Sequence, residues 1–297
     1  MKTPPDVRRP ITSNRTYSRK PSRAERTLLT SMLLWLGVAL LPGLAVAQGK
    51  CERLVATGNP EYPPYLWRDP QNPQLLIGAN ADLLKLIAAD LGLKVEVLYT
   101  GPWSRAQEEV RSGRVDLIAG AFLTLPRLET MDYIHPAFYQ TPSVVWMRRG
   151  MGFPYVSWED LRGHTGGTLV DNSFGQAFDS FAKANLSLEQ VPSLTQAFQK
   201  LLLGRTDYVL YERYPGLALA GSLGMQEDLD ILEPPISSEN LYLTLSHNSA
   251  CNEPWLRGQL AKKMTELVAA GTPQSLLERN LERWKIQQQL PVSVPNP

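Results

Sequence analysis

Gly113-Arg114-Val115-Asp116-Leu117-Ile118-Ala119, entered from a helix that ends at Ser112, is the stretch on which the fold turns. Ser104 with Gln107 three residues on reads as a capping box opening that helix. Gly113 stops it, and Val115–Ala119 is an apolar run of strand length. The same order returns downstream. Ser193 with Gln196 opens a helix to Leu203, Gly204 closes it, and Asp207-Tyr208-Val209-Leu210-Tyr211 is the strand after Arg205-Thr206. A helix, a glycine and a strand in two matching rounds indicate two α/β lobes of related design, each a mostly parallel sheet flanked by helices.

Outward from these rounds, the first lobe opens with the strand Arg53–Thr57 and the rigid loop Gly58-Asn59-Pro60-Glu61-Tyr62-Pro63-Pro64. A helix from about Asn80 to Leu91 buries Leu83, Leu84, Ile87 and Leu91 and stops at Gly92, and Lys94–Leu98 is a strand. The second lobe starts with the short helix Trp158–Arg162 after Ser157. Next come the strand Thr168–Val170, the turn Asp171-Asn172-Ser173 and a helix from Phe174 to about Ala184. Leu241–Leu245 alternates like a strand. It is followed by an amphipathic helix Pro254–Ala270 and a last helix from Pro273 to about Trp284. The Gln- and Pro-rich end, residues 286–297, is expected to be a disordered tail.

Residues 1–47 read as an export signal. Lys2, Arg8, Arg9, Arg15, Arg19, Lys20, Arg23 and Arg26 precede the apolar run Leu28–Leu41, and Ala45-Val46-Ala47 has the small-x-small form of a cleavage site. The apolar run is short for an uncleaved anchor and is broken by Pro42 and Gly43. The chain of 297 residues is 43% hydrophobic and 20% charged, an ordinary globular composition. Once the basic leader is removed, acidic residues are in excess, at a net charge of about −5, which argues against nucleic acid or an anionic membrane as partner. In an oxidising compartment, Cys51 and Cys251, the only cysteines, read either as a disulfide or as two buried thiols, and export favours the bridge. His135, His164 and His247 are scattered without ligand spacing, so neither metal nor cofactor is expected.

Several short stretches together carry a family resemblance: Glu61-Tyr62-Pro63-Pro64-Tyr65, Gly78–Asp82, Pro102-Trp103, Gly113–Gly120, Thr124-Leu125-Pro126-Arg127, Asp160-Leu161-Arg162-Gly163 and Asp207–Glu212. In this order behind a signal peptide, the chain resembles the bacterial extracellular solute-binding proteins of the polar-amino-acid type, family 3. The resemblance implies a type II periplasmic-binding-protein clamshell. Lobe one would be residues 48–145 plus 240–285 and lobe two residues 146–239, with hinge crossings near Val144–Met147 and Ser238–Leu241. Cys51 and Cys251 would then share a lobe.

The resemblance also implies a ligand site. Arg127, after a helix cap at Thr124, would clamp the ligand's α-carboxylate with its planar fork, aided by backbone N–H groups and the helix dipole. The alternative from spacing alone is a surface pair with Glu129 or Asp132. Glu212, at the carboxyl end of a strand where open α/β sheets bind ligands, would hold the α-ammonium in place of the family's usual aspartate. Its alternative is a salt bridge to Arg213 or Arg205. Tyr62 and Trp103 would sandwich the ligand's side chain or else pack in the core. Gly120 and Phe122 would contribute from the loop before Arg127. Ser173 would donate to the carboxylate or merely cap a helix. Phe122, Phe174 and Tyr211 would make the pocket more aromatic than the common histidine or arginine binders.

The implied function is capture of an amino-acid-like molecule by hinge closure, in the periplasm, by a monomer without enzymatic activity that delivers it to an inner-membrane ABC transporter permease. Two rivals share the scaffold: a cyclohexadienyl (prephenate or arogenate) dehydratase with Glu212 as general acid, and a sensory protein that signals to a receptor.

Overall fold

The computed structural model describes Cys51–Gln289; the export signal and the end of the expected tail lie outside these residues. An eight-stranded sheet in the order β5-β1-β6-β11-β7-β10-β8-β9 forms the frame. Its outer strands pair in parallel. In the first half, β1 (Arg53–Thr57) lies between β5 (Lys94–Val97) and β6 (Leu117–Phe122). In the second, β8 (Thr165–Leu169) lies between β9 (Ser187–Val191) and β10 (Tyr208–Glu212). The halves are joined by two antiparallel strands of 18 residues each, β7 (Met131–Arg148) and β11 (Leu229–Ser246).

The repeat read from the sequence has a common physical basis in the two halves. α2 (Trp103–Arg111) leads through Gly113, at φ 77°, into β6, and α5 (Leu194–Leu202) leads through Gly204, at φ 66°, into β10. Both glycines sit in the left-handed conformation that ends a helix without a Cβ penalty. Asp116 accepts Val55 N–H at 2.7 Å and donates its own N–H to Val55 O. Asp207 does the same with Thr165 N–H, also at 2.7 Å, and Thr165 O. Each aspartate pins its strand to its parallel neighbour.

Local details correct the reading in several places. α2 begins at Trp103 behind Pro102, with no side-chain cap, so Ser104 lies inside the helix and the expected capping box does not form. Ser193 does cap α5, accepting Gln196 N–H at 3.2 Å. Leu83, Leu84 and Ile87 of α1 (Ala79–Asp90) are buried as expected, while Leu91 is only half-buried. The loop after β1 contains a small antiparallel sheet of β2 (Glu61–Tyr62), β3 (Leu66–Arg68) and β4 (Leu76–Ile77). The segment after the Asp171 turn enters α4 at Gln176 rather than Phe174, and α4 ends at Asn185.

Val144–Met147 pairs with β10 inside the second half, so the passage between halves lies further back, where Tyr139–Ser143 faces Ser237–Leu241. A helix missing from the sequence reading, α6 (Arg213–Ser222), follows β10. α7 (Pro254–Ala269) and α8 (Thr272–Gln289) complete the first half. Residues 286–289 are thus helical rather than tail, and Gln287 accepts Trp67 Nε1–H at 2.9 Å.

Cys51 and Cys251 are disulfide-bonded, with Cα atoms 5.3 Å apart across a sequence separation of 200. The bond ties the start of β1 to the segment after β11. Closing so long a loop constrains the unfolded chain strongly. Replacing both cysteines by serine is expected to lower unfolding free energy by about 2–4 kcal/mol, measured by urea denaturation of the oxidised protein and the variant.

Candidate functional site

The carboxyl ends of two strands, one from each half of the sheet, define the site. β6 ends at Phe122 and passes through Thr124 into α3 (Leu125–Leu128), which carries Arg127; β10 ends at Glu212. Arg127 and Glu212 line one cavity, together with Tyr62, Trp103, Gly120 and Phe122 from the expected set. The space left between their side chains is about 20 Å³ for water centres, room for about one water molecule.

Arg127 is buried and pairs with neither Glu129 nor Asp132. Its Nε donates to Gln107 Oε1 at 3.0 Å, Nη1 to Phe122 O at 3.0 Å and Nη2 to Asp171 O at 3.2 Å. A guanidinium has five N–H groups, so two remain, one on each terminal nitrogen. The guanidinium also lies 5.3 Å from the Trp103 ring centroid, a cation–π contact. The helix contributes less than expected: α3 is a single turn, too short for a developed dipole. Thr124 Oγ1 takes the Arg127 N–H at 3.4 Å, and Leu125 N–H goes to Gln176 Oε1 at 3.3 Å.

Glu212 makes no ion pair with Arg205 or Arg213; Arg213 turns to Glu233 instead. The Glu212 side chain is 4% exposed and its Oε2 has no hydrogen-bond partner. Burial pushes its carboxyl up from the ordinary 4.5 to about 7, opposed by its own backbone N–H and then by the positive charge of Arg127. Burial in turn pulls the Arg127 guanidinium below its usual range, offset by Tyr133, Asp179 and Glu212. The Tyr62 hydroxyl is raised by burial and then by Glu212; it lies beside Thr141 without a well-formed hydrogen bond.

Three expected residues stand apart from the cavity. Tyr211 packs edge-on against Tyr62, and its hydroxyl accepts from Asn59 Nδ2 at 2.8 Å and donates to Glu61 O at 3.1 Å. Ser173 bonds Asp179 and accepts Gly175 N–H at 3.2 Å, a local turn that keeps its hydroxyl for the protein. It lines a separate outer groove of about 620 Å³ that meets the inner cavity at Arg127 and Asn172. Phe174 packs with Phe178 in the core of the second half.

Asn59, Asn80 and Asn172 line the cavity and were missed as site residues. Asn80 carried a legible signal: a carboxamide on the buried face of α1 beside Leu83, Leu84 and Ile87. Its Nδ2 donates to Ala119 O at 2.6 Å. Gly120, at φ 126°, makes room for it, because a Cβ there would meet Asn80 Nδ2 at 2.5 Å.

Bonds between the sheet halves surround the cavity. Glu61 Oε2 accepts Leu194 N–H at 2.6 Å and Oε1 accepts Thr195 Oγ1–H at 3.0 Å, while Gln107 Nε2 joins Arg127 in donating to Asp171 O. The Arg127 guanidinium and the Glu212 carboxyl thus line one cavity that both halves flank.

Burial of Glu212 has a sign that can be tested. With a folded pKa near 7 against 4.5 unfolded, the folded chain binds this proton more tightly, so its stabilising effect is complete below pH 4.5 and lost as pH rises through 7. Glu212→Gln is expected to exceed the parent in unfolding free energy by about 3 kcal/mol at pH 8, with the difference vanishing near pH 4. Denaturant titrations across that range measure it.

Comparison with solved structures gives the fold. A mutant of ArgBP from T. maritima aligns at TM-score 0.66 and 20% identity, covering 78% of this chain and 96% of that one. A histidine kinase sensor domain with similarity to periplasmic binding proteins aligns at 0.66 and 22%, covering 78% and 97%. AbpA, an amino acid ABC transporter substrate-binding protein from Streptococcus pneumoniae bound to L-arginine, aligns at 0.64 and 21%, covering 78% and 96%. No curated protein matches the sequence. The fold is thus the two-lobed clamshell of periplasmic binding proteins. With a family match that spans residues 54–283, the chain belongs to the bacterial extracellular solute-binding proteins, family 3.

Proposed function

We propose that this solute-binding protein captures an amino-acid-like zwitterion, with Arg127 on the carboxylate and Glu212 on the ammonium, and releases it to an inner-membrane ABC transporter permease. It works as a monomer in the periplasm after cleavage at Ala47, and it carries out no reaction. Lobe one (48–145 with 240–285) and lobe two (146–239) open and close about the β7–β11 crossing. The bonds of Glu61, Asn59 and Asp171 between the sheet halves stabilise the closed arrangement.

One observation carries this reading: a buried guanidinium and a buried carboxyl from opposite sheet halves line a single cavity. In such a low-dielectric space, an ammonium beside Glu212 favours its ionised form, and a carboxylate shares the two remaining N–H groups of Arg127. The cavity holds about one water in this arrangement, so entry of a ligand requires the halves to part.

A second reading rests on the Glu212 carboxyl, which burial raises to about 7 and which is therefore a candidate general acid for dehydration of a cyclohexadienyl acid. Incubation with prephenate separates the two. Phenylpyruvate formation that Glu212→Gln abolishes would replace binding by catalysis.

A thermal-shift screen of the amino acids is expected to find one that stabilises the protein, by about 2.7 kcal/mol at 100 times its dissociation constant. In calorimetry with that amino acid, Arg127→Ala is expected to weaken binding by about 2–5 kcal/mol, because the ligand's carboxylate loses its partner. Unchanged affinity in a folded Arg127→Ala protein would refute the clamp.

A further inference from the structure

The charges in the inner cavity are exhausted by the ends of a zwitterion. Among the described residues that line it, Arg127 and Glu212 are the only charged ones. What remains is uncharged: apolar side chains such as Leu66, Phe122 and Leu241, with a few polar atoms set among them. Tyr62 Oη, Asn80 Oδ1, Trp103 Nε1 and Asn172 Nδ2 all lack hydrogen-bond partners and are shielded from solvent, and all four residues line this cavity.

These atoms are held in place by the surrounding packing. Asn80 is fixed through its amide to Ala119 O, which leaves Oδ1 as an acceptor. Trp103 is braced by the Arg127 guanidinium over its ring. Tyr62 is wedged between the rings of Tyr65 and Tyr211. The set offers an acceptor (Asn80), two donors (Trp103 and Asn172) and a hydroxyl that serves as either.

Resting on the zwitterion reading above, we infer that the ligand's side chain is neutral and hydrogen-bonding: a hydroxyl or a carboxamide. A cationic side chain would need a second carboxylate and an anionic one a second cation, and the lining supplies neither. Burying an unpaired charge is far costlier than burying a paired one. An aliphatic side chain would leave the orphan atoms unmatched. A site built to hydrogen-bond a substrate rejects the analogue that lacks the group much more strongly than an apolar pocket rejects a change of size.

The test is calorimetry on the full protein with near-isosteric pairs: threonine and valine, asparagine and aspartate, glutamine and glutamate, serine and alanine, with L-arginine added. The tightest-binding amino acid is expected to be a neutral polar one, at least tenfold tighter than its isostere and than arginine. The gap is expected to narrow in Trp103→Phe, which removes the indole N–H but keeps a ring, while the melting temperature and far-UV spectrum report that the fold is retained.

A gap below tenfold, or arginine, aspartate, glutamate or an aliphatic amino acid as the tightest ligand, overturns the inference and leaves the zwitterion reading standing. An unchanged gap in folded Trp103→Phe overturns the role of the indole. Failure of every amino acid to bind overturns the zwitterion reading, and the inference falls with it.

Discussion

A carboxyl and a guanidinium, both taken out of water and facing one small space, set the terms for the rest of this structure. Neither charge is fully compensated by the protein. Glu212 keeps an unpartnered oxygen and holds its proton up to about pH 7, and Arg127 spends three of its N–H groups on Gln107, Phe122 and Asp171. Burial without full pairing costs stability that a better-matched core would retain. In the proposed function that cost has a use, since a zwitterion would bring the two missing charges and restore what the fold has forgone.

Holding such a pair requires a frame that resists collapse yet divides in two. The parallel outer strands and the aspartate pins at Asp116 and Asp207 make each half rigid by itself. β7 and β11 alone run through both halves of the sheet, and the disulfide closes the first half from its two ends. The halves also meet through apolar packing, with Tyr62 edge-on to Tyr211, and through polar bonds at Glu61, the Tyr211 hydroxyl and the carbonyl of Asp171. The polar bonds are exchangeable with water, so opening replaces them at little cost.

The repeated helix, glycine and strand were legible because each depends on neighbours in sequence: a glycine at positive φ and an apolar stripe at helical spacing. β7 was not, and of β11 only the Leu241–Leu245 end was. Pro136 lies where the β7–β11 register shifts between Leu241 and Leu243, and Pro234 and Pro235 where it shifts between Leu232 and Ser237. Proline at a bulge gives up no ladder bond, but it breaks the alternation that marks a strand. At the site, Arg127 and Glu212 were reached through family motifs, and the cavity brings them together. Ser173 was misplaced because Asp179, within the next helix, satisfies its hydroxyl locally. Asn59 went unread because its role depends on a contact distant in the chain, with Tyr211.

Proton release on binding tests the pairing of Glu212 with a ligand ammonium most directly. Calorimetry of the stabilising amino acid at pH 6, repeated in buffers of different ionisation enthalpy, counts the protons exchanged. If an ammonium docks against the buried carboxyl, nearly one proton leaves per ligand at pH 6, little leaves at pH 8.5, and none leaves at either pH in Glu212→Gln. Binding at pH 6 without proton release, or with release that persists in Glu212→Gln, would contradict it.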